Sequence, residues 1–127
     1  MKIIPTFIHG ISDYLVGVIL LVAPNLFGFA EAGGAAVAVP RFVGIMILAQ
    51  ALMTNYELGV IRKLPMRVHL TMDYILSIFL LLSPWIFGFH RQPSNVWMPH
   101  VIVGALVFLL TLMTESEPRT AVSPAHR

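Results

Sequence analysis

Residues 5–29 read PTFIHGISDYLVGVILLVAPNLFGF, and residues 65–89 read PMRVHLTMDYILSIFLLLSPWIFGF. Shifting the chain by 60 residues aligns the two stretches without a gap, and the match continues to residue 57 against residue 117. A shared apolar composition explains matched Leu and Val residues, but not matched His, Asp, Tyr, Pro and Glu residues. We therefore interpret the chain as an internal duplication. The sixteen identities are Pro5/Pro65, His9/His69, Asp13/Asp73, Tyr14/Tyr74, Leu20/Leu80, Leu21/Leu81, Pro24/Pro84, Phe27/Phe87, Gly28/Gly88, Phe29/Phe89, Val43/Val103, Gly44/Gly104, Leu52/Leu112, Met53/Met113, Thr54/Thr114 and Glu57/Glu117.

The composition indicates a membrane protein. Of the 127 residues, 57% are hydrophobic and only 11% are charged, and the mean hydropathy is +0.84. A soluble domain carries about 25% charged residues because its surface must stay hydrated. We therefore expect most of this surface to face lipid. The eight Lys and Arg residues are scattered and form no dense basic patch, so no nucleic-acid partner is predicted. The absence of cysteine excludes disulfides and thiolate chemistry.

Each repeat contains two apolar stretches, close to the roughly 20 residues that a helix needs to cross a bilayer. Short linkers would join each pair into an antiparallel hairpin. The predicted fold is all-α, a four-transmembrane-helix bundle built from two parallel repeats of a helical hairpin. The predicted helices are 11–29, 40–56, 70–89 and 99–114, with linkers at 30–39 and 90–98.

Prolines occur in all four stretches. Pro40 and Pro99 are expected to start the second helices, where a missing N–H costs least. A helix from Asp13 to Ala23 would rise only about 15 Å, which is too short for a hydrocarbon core of about 30 Å. The first helix of each repeat is therefore expected to continue past Pro24 or Pro84, with a kink.

The basic residues predict the orientation. Residues 1–114 would form the four-helix membrane domain, with repeats at about 5–57 and 65–117 and a disordered cytoplasmic tail at 115–127. Both termini and the central loop then lie on one side, which carries six basic residues against Arg41 and Arg91 on the other. This asymmetry predicts that both termini lie in the cytoplasm.

The most informative motif is H-x-x-x-D-Y, which occurs at the start of the first helix in both repeats. His and Asp four residues apart lie on one helical face and can touch. The second helix brings a Thr and a Glu to the same depth, so we expect one polar layer on the side of the termini. Its members are His9, Asp13, Tyr14, Thr54, Glu57, His69, Asp73, Tyr74, Thr114 and Glu117.

Two interpretations of this layer stay open. It could be a metal, proton-handling or small-ligand site, in which His9, Asp13, His69 and Asp73 would hold any metal ion, since both residue types bind zinc-like ions. Alternatively, it is a hydrogen-bonded cluster at helix N-termini, where carboxylates are favoured, and it only fixes the hairpins. No cofactor is predicted.

Other chemistry finds little support. No nucleophile motif and no glycine-rich phosphate loop occurs in the sequence, so no catalytic residue is predicted. His90 and His100 flank a loop and are expected at a wet boundary. The first helices carry no carboxylate or His near mid-depth, so transport across one copy of the chain is not expected.

The tripeptide Ser83-Pro84-Trp85 lies in the first helix of a two-helix repeat. With the 60-residue duplication, it resembles the SPW-repeat family of small bacterial membrane proteins, over most of the chain. The first repeat departs from this motif and reads Ala23-Pro24-Asn25. The resemblance implies a fold and a location in the bacterial inner membrane, and it implies no established activity, cofactor or catalytic residue.

Three functional hypotheses follow. The first is a non-enzymatic membrane protein that contacts the bilayer and acts as a structural or accessory subunit of a larger complex, or as a homo-oligomer. The second is a metal- or ligand-binding membrane protein, enzymatic or not, that uses the polar layer. A weaker third hypothesis is a channel formed between protomers.

Overall fold

The computed structural model describes residues 2–117, and this part of the chain contains four long helices. Each is long and apolar enough to cross a membrane, which confirms the predicted four-transmembrane-helix fold and makes the protein a multi-pass membrane protein. The predicted disordered tail, 115–127, falls outside the described residues from position 118 onward. The helices are α1 (Thr6–Leu26), α2 (Gly34–Met53), α3 (Met66–Ile86) and α4 (Ser94–Leu112).

The helices are arranged as two hairpins. α1 packs on α2 and α3 packs on α4, and a single 3₁₀ turn connects the helices within each hairpin, at Ala30–Ala32 and Phe89–Arg91. We call the end where α1 and α3 begin the cluster end, and the end with the 3₁₀ turns the far end. The segment before α1 pairs with the end of α4, and the segment before α3 pairs with the end of α2, through backbone hydrogen bonds. These pairings tie the hairpins together at the cluster end.

The bundle is apolar both inside and outside. Large apolar side chains such as Leu15, Ile45 and Leu106 are more than half exposed, which suits a surface that faces lipid. The centre of the bundle is a layer of fully buried aliphatic side chains, which we call the central block. Its members are Leu20, Val39, Val43, Ile47, Leu76 and Leu80.

Two glycines let the helices of each hairpin approach closely. A Cβ atom on Gly44 would lie 2.7 Å from the Gly17 carbonyl oxygen of α1. At the corresponding position of the second hairpin, a Cβ atom on Gly104 would lie 2.7 Å from the Leu81 nitrogen of α3. Small residues at such contacts are typical of membrane helices, because association there depends on close packing.

The predicted start of the second helices is wrong. α2 begins at Gly34 and α4 at Ser94, so that Pro40 and Pro99 lie inside the helices and the linkers are shorter than predicted. Pro40 cannot donate to the Ala36 carbonyl four residues earlier. The His100 Nε2 atom lies 3.0 Å from this carbonyl oxygen and donates in its place.

This contact also overturns the expectation of a wet boundary for His100. Its side chain is buried, and its ring lies 4.7 Å from the Phe89 ring and 5.6 Å from the Phe29 ring, between centroids. An unpaired carbonyl in an apolar environment is costly, so a buried donor is favoured there. His90 is partly exposed and stacks on Trp85.

The first helices continue past their prolines, as predicted. Pro84 lies inside α3 and leaves the Leu80 carbonyl without its helical donor. The Ser83 hydroxyl donates to this carbonyl at 2.7 Å. Pro24 lies inside α1 in the same way, but Ala23 precedes it and offers no hydroxyl for the Leu20 carbonyl. The serine before the proline therefore repairs a backbone hydrogen bond.

The first helices begin earlier than predicted, at Thr6 and Met66 instead of residues 11 and 70. The early turns carry polar groups such as Thr6, His9 and His69, which the apolar pattern placed outside the helices. All three side chains are fully buried against neighbouring elements. Their burial extends both helices to the cluster end, where the candidate site lies.

Candidate metal site

The N-terminal parts of α1 and α3 meet through four buried side chains, His9, Asp13, His69 and Asp73. We call this group the His–Asp cluster. Each helix contributes one His and, four residues later, one Asp, so both side chains point from the same helical face. One ligand atom from each residue can be chosen so that all four atoms lie within 4.8 Å of one another.

The contacts in the cluster cross between the hairpins. His9 Nε2 lies 2.8 Å from Asp73 Oδ2 and 3.2 Å from Asp13 Oδ1. His69 Nε2 lies 3.1 Å from both Asp13 Oδ2 and Asp73 Oδ2. Each imidazole therefore faces the carboxylates of both helices through the same nitrogen atom, Nε2.

Threonine hydroxyls determine the protonation of the other imidazole nitrogen. The Thr114 hydroxyl lies 2.8 Å from His9 Nδ1 and 2.6 Å from the Leu110 carbonyl oxygen. A hydroxyl has one hydrogen, and the carbonyl can only accept it. Thr114 therefore accepts its second hydrogen bond from an Nδ1–H group of His9.

The same arrangement recurs at the second imidazole. Thr54 donates to the Gln50 carbonyl and lies 2.6 Å from His69 Nδ1, so this nitrogen also carries a hydrogen. Each Thr belongs to the hairpin opposite to that of its His. With Nδ1 protonated in both rings, the 2.8 Å hydrogen bond between His9 Nε2 and Asp73 Oδ2 needs a second proton on His9, because a carboxylate only accepts. A metal ion at the cluster would take the place of this proton.

The two carboxylates have outer hydrogen-bond donors of different origin. Asp73 Oδ1 accepts from the Gln50 side-chain amide, and Asp13 Oδ2 accepts from the Tyr56 hydroxyl at 2.9 Å. Tyr56 lies in the connection between the hairpins and is buried. Burial raises the pKa of its hydroxyl above the usual range, and the nearby Asp13 carboxylate adds to this effect. Tyr56 therefore remains a donor at neutral pH.

One nitrogen of the cluster has no hydrogen bond. His69 Nε2 is completely buried and lies within ion-pair distance of two carboxylate oxygens, but neither contact has hydrogen-bond geometry. An unpaired buried nitrogen is costly unless a hydrogen-bond partner or a cation meets it.

The remaining predicted members of the polar layer lie outside the cluster. The Tyr14 hydroxyl donates to the Leu58 carbonyl, and Tyr74 packs edge-on against Phe108. Glu57 accepts from the Thr6 hydroxyl at 2.7 Å. Glu117 is exposed. Of the ten predicted residues, the structure thus brings together the two His, the two Asp and the two Thr.

Two functional neighbours were missed by the sequence analysis. Gln50 precedes Thr54 by four residues, and this spacing on one helical face could have indicated a shared site. Tyr56 lies outside any helix, in the loop between α2 and α3, and no periodic pattern predicts where its side chain points.

The residues of the cluster could hold a four-coordinate divalent ion. Zinc-like ions take His nitrogen and Asp oxygen ligands at about 2.0–2.2 Å, which separates the ligands of a tetrahedron by about 3.4 Å. With Oδ2 as the ligand atom of each Asp, three nitrogen–oxygen separations are 2.8, 3.1 and 3.1 Å, which is roughly 0.3–0.6 Å shorter. The 3.2 Å contact of His9 involves the other Asp13 oxygen, Oδ1. The ligand atoms would have to move slightly apart to coordinate a metal ion at these bond lengths. Two neutral imidazoles and two carboxylates carry a charge that a divalent ion neutralises.

Comparison with known protein families identifies the family of the chain. The family model described as the SPW repeat domain matches residues 7–114. The chain belongs to the SPW repeat family. The comparisons with curated proteins and with solved structures found no match.

In this SPW repeat protein, the motif and the cluster lie at opposite ends of α3. Ser83-Pro84-Trp85 lies in the last turn before Ile86, whereas His69 and Asp73 lie in the first two turns. The Trp85 ring is half exposed and lies 6.0 Å from the Trp97 ring, between centroids. The SPW motif therefore shapes the far end of the helix and does not contact the cluster.

Proposed function

We propose that this SPW repeat protein is a membrane protein that binds one divalent transition-metal ion, of the zinc type, at the His–Asp cluster. The observation that carries the proposal is the convergence of four buried ligand atoms, one from each residue, within 4.8 Å. Each hairpin supplies one nitrogen and one oxygen ligand. The bound ion would join α1 to α3 and hold the two hairpins together.

The surroundings of the cluster support this function. Metal-bound histidines usually donate their second N–H group to a neighbouring acceptor, which fixes the tautomer and the orientation of the ring. Thr114 and Thr54 provide this acceptor to His9 and His69. Gln50 and Tyr56 orient the carboxylates. Mixed nitrogen and oxygen ligands in a four-coordinate set favour Zn²⁺ or Co²⁺ over Mg²⁺ and Ca²⁺, which prefer six or more oxygen ligands.

The alternative to a bound metal ion is a cluster in which protons on the imidazoles occupy its place. Protonation of both Nε2 atoms would create two imidazolium and two carboxylate groups, a neutral set held by hydrogen bonds. The cluster would then only fasten the hairpins. His9 Nε2 forms the aligned hydrogen bond to Asp73 Oδ2 that this arrangement requires. His69 Nε2 has no aligned acceptor although two oxygens lie at 3.1 Å, and it is this nitrogen that favours the metal ion over the proton.

Elemental analysis and cobalt spectroscopy test the proposal. The protein is purified in mild detergent, equilibrated with Zn²⁺ or Co²⁺ and freed from excess metal. We expect about one ion per chain and the visible absorption of tetrahedral Co²⁺. Asp13→Asn and Asp73→Asn keep the size and hydrogen-bonding capacity of the side chain, and each should abolish stoichiometric binding.

His90→Gln is the matched control for His69→Gln. Both remove a histidine from the second hairpin, but His90 lies at the far end and stacks on Trp85. His90→Gln should bind as the wild type does, and His69→Gln should not. Circular dichroism checks that each variant is folded. A folded wild-type protein that retains no metal ion from either solution would refute the metal-binding function and leave the hydrogen-bonded cluster.

A partner for the lipid-facing surface is a further part of the proposal. We infer that copies of this chain, or another membrane protein, contact the exposed helix faces, because the described loops are short and offer little surface for binding. Mild-detergent purification with mass measurement tests this inference: a monodisperse monomer without a copurifying protein would contradict it. The proposed location remains the bacterial inner membrane with both termini in the cytoplasm, supported by the six-to-two distribution of basic residues.

A further inference from the structure

We infer that the His–Asp cluster exchanges its metal ion with the cluster end of the bundle only, and that Tyr56 is the side chain that must move to admit or release the ion. This inference rests on the proposed metal-binding function. The ion would then enter and leave the site from one end of the bundle only. No pathway would carry it through the bundle to the far end.

The central block closes the path toward the far end. Leu20, Ile47 and Leu80 are at most 2% exposed, and they pack together directly beyond the cluster. Gly44 and Gly104 bring the helices of each hairpin into backbone contact at the same level. A cation has no ligand in such a layer, and a charge is costly in an apolar environment.

The polar side chains nearest to the central block do not offer a relay. The hydroxyls of Ser77 and Thr111 are buried and donate to backbone carbonyls of their own helices, those of Tyr74 and Val107. Within residues 14–53 and 74–112 the described structure contains no buried carboxylate. An ion that leaves the cluster toward the far end would therefore lose all its ligands at once.

At the cluster end, Tyr56 is the loop side chain that contacts the cluster, and it packs with the buried Met66 and Leu70 of α3. The Tyr56 hydroxyl donates to Asp13, and the Tyr56 ring lies 5.6 Å from the His69 ring, between centroids. Tyr56 itself is 2% exposed, whereas Asn55 before it is exposed and residues 57–59 after it are partly exposed.

Side-chain hydrogen bonds from α1 hold the loop that carries Tyr56. The Tyr14 hydroxyl donates to the Leu58 carbonyl at 2.8 Å, and the Thr6 hydroxyl donates to Glu57 at 2.7 Å. Both bonds are only partly buried, because Glu57 and Leu58 in the loop are partly exposed. Local opening of a loop needs far less free energy than unfolding of a helix. Gln50, the outer donor to the other carboxylate, belongs to α2 and cannot move in this way.

Metal-release kinetics test the role of Tyr56. The Co²⁺-loaded protein in detergent is mixed with excess EDTA, and the loss of the visible absorption is followed. We expect Tyr56→Ala to release the ion at least about tenfold faster than the wild type. Tyr56→Phe keeps the covering ring but loses the hydroxyl and should be intermediate. Tyr14→Phe, which frees the loop without touching the cluster, should also accelerate release.

Tyr74→Phe is the matched control, because Tyr74 is a tyrosine of α3 that contacts Phe108 and not the cluster. Its release rate should equal that of the wild type. Wild-type rates in Tyr56→Ala and Tyr14→Phe, at full metal occupancy, would overturn the gating role of Tyr56 and leave the metal site intact. Absence of metal from the wild type would instead overturn the proposed function itself.

Sidedness is tested in liposomes. Co²⁺-loaded protein is reconstituted, and a membrane-impermeant chelator is added outside. The fraction of ion removed should equal the fraction of molecules whose cluster end faces outward, measured by labelling an Arg62→Cys variant from the outside. Complete removal from a population of mixed orientation would contradict one-sided access.

Discussion

The His9 Nε2 atom lies 2.8 Å from the Asp73 Oδ2 atom, although 64 residues separate the two positions in the chain. This contact joins α1 of the first hairpin to α3 of the second. The reciprocal contact, His69 Nε2 to Asp13 Oδ2 at 3.1 Å, makes the same connection in the opposite direction. The two hairpins therefore share a single buried polar centre, and changes at this centre should affect both metal binding and the association of the hairpins.

Removal of the threonine acceptors should weaken metal binding. Thr54→Val and Thr114→Val each leave a buried Nδ1–H group without its acceptor and release the orientation of the imidazole. Loss of such an outer partner typically costs about 10–100-fold in metal affinity. The measurement is competition for Zn²⁺ with a chromophoric chelator.

Thr111→Val provides the matched control. Thr111 is equally buried and donates to a carbonyl of its own helix, but no imidazole contacts it. Its affinity for Zn²⁺ should remain within about threefold of the wild type, as expected for a group that does not touch the site. An equal loss of affinity in all three variants would show that general destabilisation, and not imidazole orientation, causes the effect.

Metal binding should stabilise the bundle. An ion that binds only the folded state adds about 2.7 kcal/mol at a free concentration of 100 times the Kd. We expect the unfolding midpoint in mild detergent to rise with Zn²⁺ concentration in the wild type and to stay constant in Asp73→Asn. A midpoint that rises equally in both proteins would assign the effect to another site.

The serine of the SPW motif should contribute to stability through the backbone. Ser83→Ala leaves the Leu80 carbonyl without a donor in a buried environment, which costs about 1–3 kcal/mol. Ala23→Ser supplies the missing donor at the corresponding position of α1 and should not destabilise the protein. Denaturant titration in mild detergent, followed by circular dichroism, measures both changes.

Ser12→Ala is the control for the serine of the motif. The Ser12 hydroxyl also donates to a carbonyl of its own helix, that of Ile8, but this carbonyl keeps its helical N–H donor. The loss of stability should therefore be about 0.5 kcal/mol or less, as for most surface substitutions. If Ser12→Ala lost as much stability as Ser83→Ala, the proline would not explain the effect of Ser83.

The orientation can be tested because the chain contains no cysteine. Single substitutions Glu31→Cys at the far end and Arg62→Cys at the cluster end are both exposed. With a membrane-impermeant maleimide on intact cells whose outer membrane is permeabilised, we expect Glu31→Cys to react. Arg62→Cys should react only after the inner membrane is opened, and the reverse pattern would place the termini outside the cytoplasm.

The number, type and order of the helices follow from the sequence. Four apolar stretches of bilayer length and a scarcity of charges leave few alternatives, because backbone groups in lipid must be paired within a helix. The repeated H-x-x-x-D-Y motif by itself also singles out His9, Asp13, His69 and Asp73, because matched ionisable residues are rare in apolar segments.

The tertiary structure decided the helix starts and the partners of each polar group. Pro40 and Pro99 both lie inside helices, and for Pro40 a distant group, the His100 imidazole, replaces the missing donor to the Ala36 carbonyl. The hydropathy of a segment depends only on its own residues, so it cannot predict a hydrogen-bond donor that comes from another helix. The roles of Tyr56 and Gln50 have the same origin: each depends on a carboxylate that the fold places beside it, 43 and 23 residues away in the chain.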